Sequence, residues 1–277
     1  MNIPQPALTP KARAEAISQT GLLAATALNC ALQIAWFRRF RAHSINEDGI
    51  AYVVLARHLV DGDFKASLQG YWSPLTSWMI ASASAFGRDF TLLGRFVTIA
   101  SFLVCLPLLY ALTLRLWRSR TSAALAMFWF SAARGLVFLA VGSIVADFVL
   151  TACVLLYFIL LLDALRQNKP APWIGLGAAH ALAFLAKAIA MPWLSIASAI
   201  AVLLRDGRSS RRLAASFRLA FLFLAIVGIS WGGTLRTKYG VFTTGYQLRA
   251  NLMSNWHADQ SPSHWRQPVV RRHFVAL

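Results

Sequence analysis

Long apolar segments, each near the length that crosses a lipid bilayer, are the feature that most restricts how this chain can fold. A helix needs about 20 apolar residues to cross the hydrocarbon core. Such segments lie at 17–36, 95–117, 123–141, 148–165, 173–204 and 213–235. The fifth is long enough for two short spans that turn near Lys187. The pattern predicts an all-α polytopic membrane protein with about seven transmembrane helices.

The composition agrees with this class. The chain is 58% hydrophobic and 13% charged, with a mean hydropathy of +0.56, outside the range of ordinary soluble domains. Its net charge of +17 comes from basic residues at the ends of apolar segments, as in loops that face anionic lipid. No nucleic-acid-binding motif accompanies that charge, so a nucleic-acid partner is not expected. The cysteines lie inside apolar runs and are interpreted as core residues: Cys30, Cys105 and Cys153.

The distribution of basic residues predicts the orientation in the membrane. Three short loops are basic, at 115–120, 166–169 and 205–212, and the positive-inside rule places them in the cytoplasm with the amino terminus. Arg38, Arg39 and Arg41 argue the other way, but the rule sums over loops. A loop at 37–92 then lies outside the cell membrane. We expect a transmembrane region at 1–235 and an extracytoplasmic tail at 236–277 that is partly disordered.

A polar segment between the first two spans, residues 44–78 (the island), carries four of the ten acidic residues: Glu47, Asp48, Asp61 and Asp63. Most of the rest of the chain is predicted to be membrane helix, where carboxylates are costly and are seldom kept without a reason. Apolar residues recur at three- and four-residue steps over 49–64, which predicts a juxtamembrane helix with Asn46 available as its N-cap. Two interpretations remain open: an active site at the membrane surface, or a surface anchor with solvated carboxylates.

The island also carries a family resemblance. Residues 46–52 (NEDGIAY), 55–57 (LAR), 62–64 (GDF) and 71–75 (YWSPL) resemble the first extracytoplasmic loop of the GT-C glycosyltransferases, family 39-like. These include protein mannosyltransferases and the lipid A aminoarabinose transferases. Later matches are Asp147, the segment 185–188 (LAKA) and the segment 238–240 (KYG). Family members usually continue through several more spans, so the resemblance implies that the usual C-terminal part is missing.

The resemblance implies a reaction and a partner. A sugar moves from a polyprenyl-phosphate donor to a lipid, glycan or protein acceptor at the extracytoplasmic face of a bacterial-type inner membrane. Such a reaction needs a base for the acceptor hydroxyl and cations for the departing phosphate. The base is expected to be Asp48, with Glu47 as the second choice. Asp147 is a second acid or a ligand for a possible divalent cation, or alternatively an N-cap.

The remaining site residues follow from the same resemblance. Lys187 and Arg57 are expected to bind the donor phosphate, although a lysine at this depth could also simply reach for the membrane surface. The expected substrate-loop residues are Tyr52, Tyr71, Trp72, Lys238 and Tyr239.

Two other functions stay open at this point. A transporter or flippase component would explain Arg134 and the break near Lys187, but no inverted repeat is visible. An inactive membrane remnant would explain the short C-terminal part. Nucleotide binding is not supported, because the sequence has no Gly-rich phosphate loop.

Overall fold

The regular elements are all helical in the residues that the structure, a computed structural model, describes: 10–40, 45–167, 170–203 and 210–245. The α-helices in these ranges are α1 (Pro10–Phe40), α2 (Glu47–Val60), α3 (Phe64–Ser67), α4 (Pro74–Ala83), α5 (Phe90–Trp117), α6 (Arg120–Ala132), α7 (Arg134–Gly142), α8 (Asp147–Gln167), α9 (Pro170–Ala186), α10 (Ala190–Leu203) and α11 (Ser210–Tyr239). A 3₁₀ turn, Ser84–Phe86, follows α4. The predicted all-α class is confirmed.

Three of the described helices are long and apolar enough to cross a membrane. They are α1 over Ala14–Phe37, α5 over its whole length, and α8 over Asp147–Arg166. The pair α6 and α7 adds a fourth if it counts as one span. The 17 residues of α9 reach only about 25 Å at 1.5 Å per residue, against a hydrocarbon core of about 30 Å. The described residues therefore give a multi-pass membrane protein with three or four candidate spans, and the predicted seven are not confirmed.

The third predicted span, 123–141, is not one straight helix. It is divided into α6 and α7, which are bent by 56°. The Ser131 carbonyl is among the last four of α6, which lack partners within a helix. It accepts hydrogen bonds from the side-chain amides of Asn29 and Gln33 on α1, the second at 2.7 Å. The break is tolerated in an apolar setting because a neighbouring helix bonds the freed carbonyl.

The predicted turn near Lys187 is confirmed. Helix α9 ends at Ala186, and the Ala190 amide bonds to the Lys187 carbonyl at 3.0 Å as α10 begins. A hydrogen bond from the Tyr157 hydroxyl to the Leu194 carbonyl, at 2.6 Å, holds α10 against α8. These contacts fix the backbone that carries the Lys187 side chain.

The island packs onto the bundle through α2 and α4. Helix α2 begins at Glu47, with Asn46 in the N-cap position as predicted, and ends before Gly62, which has φ +82°. Its buried face carries Tyr52 and meets Phe90 of α5 and Ile144 of the turn between α7 and α8. Burial of each large apolar side chain contributes about 1.5–3 kcal/mol. This core sets the start of α2 beside the start of α8.

Candidate active site

The start of α2 and the turn before α8 are joined by the side chain of Asn46. Its Oδ1 accepts a hydrogen bond from the Ile144 amide at 2.8 Å, and its Nδ2 donates to the Ile144 carbonyl at 3.1 Å. The side chain makes no capping bond to α2, although its residue occupies the N-cap position. Sequence analysis assigned Asn46 a capping role, and this bridge to a distant segment is a correction to that assignment.

Two glycines make room for the bridged residue, Ile144, which is fully buried. A Cβ atom on Gly94 would lie 2.7 Å from the Ile144 Cδ1 atom. A Cβ atom on Gly49 would lie 2.6 Å from the Asn46 Oδ1 atom and 2.9 Å from the Ile144 Cβ atom. The next residue, Val145, donates its amide to the Thr98 hydroxyl at 3.3 Å. The turn before α8 is therefore held from both α2 and α5.

Asp147 and Lys187 form an ion pair. The Lys187 ammonium donates to the Asp147 Oδ1 atom at 2.7 Å, and the two side chains are 24% and 48% exposed. Ala146 occupies the position before α8, where its carbonyl accepts the Leu150 amide at 2.9 Å. Asp147 is therefore not the N-cap of α8, and its carboxylate is bound to Lys187 instead. Lys187 in turn is paired with a carboxylate and is not an isolated lysine that reaches for the membrane surface.

Asp48 belongs to the same cluster. Partial burial raises the pKa of Asp48; the positive charge of Lys187 opposes this rise, and the negative charges of Asp147 and Glu47 add to it. Asp48 is half-buried, whereas Glu47 is exposed. Asp48 therefore interacts electrostatically with both members of the ion pair. Both acids lie in the first turn of α2, where the helix dipole favours an ionised carboxylate.

An aromatic cluster lies beside the acids. The Tyr52 ring centroid is 5.6 Å from that of Trp72, which in turn is 4.6 Å from that of Tyr71. Tyr52 is only 3% exposed. Burial raises the pKa of Tyr52, and the charges of Asp48 and Asp147 raise it further. The Tyr52 hydroxyl therefore stays protonated, and the residue is part of the core rather than of an open substrate surface.

Arg57 is not brought to the Asp147–Lys187 pair. It follows Asp48 by nine positions on α2, which separates the two along the helix axis by about 13 Å at 1.5 Å per residue. Its guanidinium lies over the Phe90 ring, 5.6 Å from the ring centroid. This cation–π contact holds the Arg57 side chain against α5, near the C-terminal end of α2. The structure therefore separates the two cations that sequence analysis assigned to one phosphate.

Lys238 and Tyr239, at the end of α11, hold the backbone of the island. The Lys238 ammonium donates to the Leu68 carbonyl at 2.5 Å. The Tyr239 hydroxyl donates to the Gln69 Oε1 atom at 2.8 Å and accepts from the Gly70 amide at 3.2 Å. Both residues contact the predicted substrate loop at residues 68–70, where they hold the loop in position through these hydrogen bonds. The predicted tail beyond residue 245 lies outside the described residues.

A groove with a volume of about 640 Å³ separates the island from α11. Its lining is mostly apolar, with small hydroxyl residues towards the end of α11. It is lined by Leu59, Phe64, Ser67, Leu68, Trp78, Leu185, Ile226, Val227, Ser230, Trp231, Thr234 and Thr237. Leu185 precedes Lys187 by two residues, so the groove reaches the segment that carries the ion pair. Sequence analysis did not identify this groove, because its walls come from distant segments.

A divalent cation was one possibility for Asp147. In the described ranges, no group of three or more His, Cys, Asp or Glu side chains is placed to hold a metal ion. The Asp147 carboxylate already binds Lys187. The described side chains around Asp147 therefore do not fit a metal site.

The fold and the cluster define a multi-pass helical membrane protein with an acidic, lysine-containing site at the start of two helices. A family model described as dolichyl-phosphate-mannose-protein mannosyltransferase matches residues 72–231, more than half of the chain. The chain belongs to this family of membrane glycosyltransferases, which take sugars from polyprenyl-phosphate donors. The resemblance stated from the sequence is thereby confirmed. The matched region contains Asp147 and Lys187 and begins after Asp48. No curated protein and no solved structure matches the chain.

Proposed function

We propose that this protein transfers a sugar from a polyprenyl-phosphate donor to a hydroxyl of a lipid, glycan or protein acceptor at the extracytoplasmic face of a bacterial-type inner membrane. The observation that carries the proposal is the Asp147–Lys187 ion pair at 2.7 Å, in electrostatic contact with Asp48. Three segments far apart in sequence supply these groups. Convergence of this kind lets a base and a phosphate-binding cation act on one bound substrate pair.

Asp48 acts as the base in this proposal. Its carboxylate takes the proton of the acceptor hydroxyl while the acceptor oxygen bonds to the anomeric carbon and the bond from that carbon to the donor phosphate breaks. The phosphate leaves with the bonding electrons. A raised pKa makes Asp48 a better proton acceptor than an ordinary carboxylate, provided that the pH keeps it ionised. Glu47, which is exposed, remains the second choice.

Lys187 stabilises the departing phosphate, and Asp147 holds Lys187 in place. A lysine ammonium has three N–H donors. One donor remains on the Asp147 carboxylate at 2.7 Å, and the others can reach phosphate oxygens. Charge on the leaving group is then stabilised by a cation that is already positioned before the reaction.

The groove beside α11 is suited to the isoprenoid chain of the donor. It is lined mainly by apolar side chains, including Phe64, Trp78 and Trp231. It also includes Leu185, two residues before Lys187, so a chain in the groove could deliver its phosphate towards the ion pair. An apolar cavity with a charged group near one end is the usual form of a site for an amphipathic ligand.

The proposed topology has seven crossings, with the amino terminus in the cytoplasm, a transmembrane region at 1–235 and an extracytoplasmic tail at 236–277. The charges at the two ends of α8 support the orientation, and the number of crossings follows from the apolar segments of the sequence. Asp147 begins this helix, whereas Asp163, about 24 Å further along at 1.5 Å per residue, pairs with Arg115 at 3.2 Å. Arg166 donates to the Arg115 carbonyl at 2.9 Å. The basic end of the bundle is therefore opposite to the acidic site, as the positive-inside rule requires.

The test is the substitution Asp48→Asn, with Asp61→Asn as a matched control in the same island. Asp61 is an exposed carboxylate at the end of α2. Transfer is measured in proteoliposomes from polyprenyl-phosphate mannose to acceptors in added membrane lipid. Asp48→Asn should lower kcat by about 10²–10⁴-fold, as for loss of a general base, and Asp61→Asn should leave it unchanged. Transfer by the Asp48→Asn protein at the wild-type rate would overturn the proposed role.

A further inference from the structure

We propose that Asn46 is a positioning residue for the two acids, and that its amide sets the distance between Asp48 and Asp147. The inference rests on the proposed function, because the acids matter only if they act together. Asn46 precedes Asp48 by two residues, and its partner Ile144 precedes Asp147 by three. The side chain of Asn46 thus joins the two helix starts directly behind the acids.

The geometry of this contact is specific. Both polar atoms of the amide are used, with Oδ1 accepting from the Ile144 amide at 2.8 Å and Nδ2 donating to the Ile144 carbonyl at 3.1 Å. Two bonds to the backbone N–H and C=O of one residue fix orientation as well as distance, as in a hydrogen-bonded residue pair of neighbouring strands. Of the protein side chains, only asparagine and glutamine offer a donor and an acceptor in this arrangement, and glutamine is longer by one methylene.

The surroundings of the contact leave it no freedom. Ile144 is fully buried. Added Cβ atoms on Gly49 and Gly94 would come within 2.9 Å and 2.7 Å of its side-chain atoms. Close packing on both sides means that the turn cannot shift along α2 without a steric clash. The amide and the two glycines therefore define one position for the turn before α8.

The competing explanation is purely structural: Asn46 would bond two buried backbone groups and stabilise the fold, with no effect on the acids. Asn29 supplies a matched control. Its side-chain amide also donates to a distant backbone carbonyl, that of Ser131, but it links α1 to α6, and neither helix carries Asp48 or Asp147. Loss of either amide should lower stability, but only loss of the Asn46 amide should alter the acid-to-acid distance.

The distance can be measured without any sugar substrate. Asp48→Cys and Asp147→Cys are combined in the full chain, after the three native cysteines are replaced by alanine. The rate of cross-linking by a short bis-methanethiosulfonate reagent is then compared in detergent with Asn46, Asn46→Ala, Asn46→Ser and Asn29→Ala. Serine is a favourable N-cap residue for α2 but is too short to bond both the N–H and the C=O of Ile144. It therefore keeps the test valid if Asn46→Ala fails to fold.

Asn46→Ala and Asn46→Ser should each slow cross-linking by about tenfold, and Asn29→Ala should leave it unchanged. In the protein that retains both acids, the same Asn46 variants should lower kcat for transfer from polyprenyl-phosphate mannose by about tenfold or more. KM for the donor should change little, because the Asp147–Lys187 pair remains. Equal cross-linking rates for the Asn46 and Asn29 variants would overturn the inference. Absence of transfer by the wild-type protein would instead overturn the proposed function, and the cross-linking result would still decide the role of Asn46.

Discussion

The Asn46 amide bonds to the backbone N–H and C=O of Ile144 across 98 positions of sequence, through hydrogen bonds of 2.8 and 3.1 Å. This contact places the first turn of α2 beside the first turn of α8. Asp48 lies on the first of these turns and Asp147 on the second. Lys187, at the break between α9 and α10, completes the cluster from a third segment. The site is therefore made by helix ends that the fold holds at one end of the bundle.

The rate of transfer should depend on pH through Asp48. The base must be ionised, so kcat/KM should fall as the pH drops through the pKa of Asp48, which partial burial raises above the ordinary value. Lys187 lowers this pKa and Glu47 raises it. Lys187→Met should therefore move the inflection to higher pH, and Glu47→Gln should move it to lower pH. The measurement is kcat/KM for polyprenyl-phosphate mannose across the acidic and neutral range.

The control for this experiment is Lys65→Met, which removes an exposed lysine from α3 on the same island. It should leave the inflection in place. Shifts of the Lys187 and Glu47 variants in the same direction would contradict the assignment of the inflection to Asp48, because the two charges have opposite signs.

Removal of the Lys187 ammonium should weaken donor binding. A hydrogen bond to a charged group contributes about 1.5–3 kcal/mol, which corresponds to roughly ten- to hundredfold in the Kd for a polyprenyl phosphate. Lys187→Met should show this loss in a binding assay with undecaprenyl phosphate in detergent micelles, and Lys65→Met should not. Lys187→Arg retains the charge but not the compact ammonium, so it should bind with intermediate affinity. Unchanged binding by Lys187→Met would exclude the phosphate-binding role.

Parts of this arrangement could be predicted from the sequence. Apolar length alone predicted α1, α5 and α8 as spans, and apolar residues at three- and four-residue steps predicted α2. The importance of Asp147 and Lys187 was expected only from the family resemblance, because a lone acid and a lone lysine carry no local pattern. In the structure the Lys187 Nζ atom lies 2.7 Å from the Asp147 Oδ1 atom, and the roles of the two residues in the reaction remain predictions.

Other parts could not be predicted, for physical reasons that particular residues illustrate. Asn46 has the sequence context of an N-cap, and nothing local indicates that its amide bonds the backbone of a residue 98 positions away. Hydropathy is averaged over a window and does not detect the bend between α6 and α7. The carbonyl of Ser131 at this bend is bonded by side-chain amides of α1, and this contact comes from tertiary packing. Lys238 resembled a substrate-loop residue, but its bond to the Leu68 carbonyl depends on tertiary packing.

The fit between Gly94 and Ile144 should be measurable as a stability coupling. Gly94→Ala places a Cβ atom 2.7 Å from the Ile144 Cδ1 atom, and such overpacking costs about 1–3 kcal/mol. Ile144→Val removes that Cδ1 atom and costs about 0.5–1.5 kcal/mol alone. The double variant should lose less stability than the sum of the two single losses. Gly228→Ala, with no other atom within 4 Å of its added Cβ, is the control and should be neutral or stabilising.

The measurement for this pair is the free energy of unfolding in mixed detergent micelles. Strictly additive losses for Gly94→Ala and Ile144→Val would show that the turn before α8 can shift to accept the extra methyl group. That result would also weaken the case that this turn has a single position.

The orientation of the bundle can be tested by labelling one residue on each side of α5, Asp61 before it and Arg120 after it. Asp61 is exposed on the island, and Arg120 is exposed at the start of α6. If α5 crosses the membrane and the basic residues around Arg120 remain in the cytoplasm, only the first site faces outwards. In a background with the native cysteines replaced, Asp61→Cys should react with a membrane-impermeant maleimide in intact cells. Arg120→Cys should react only after permeabilisation.

Reaction of Arg120→Cys alone in intact cells would reverse the orientation and move the proposed reaction to the cytoplasmic face. Reaction of both in intact cells would mean that α5 does not cross, although it is 28 residues long and among the described helices that are apolar enough to do so.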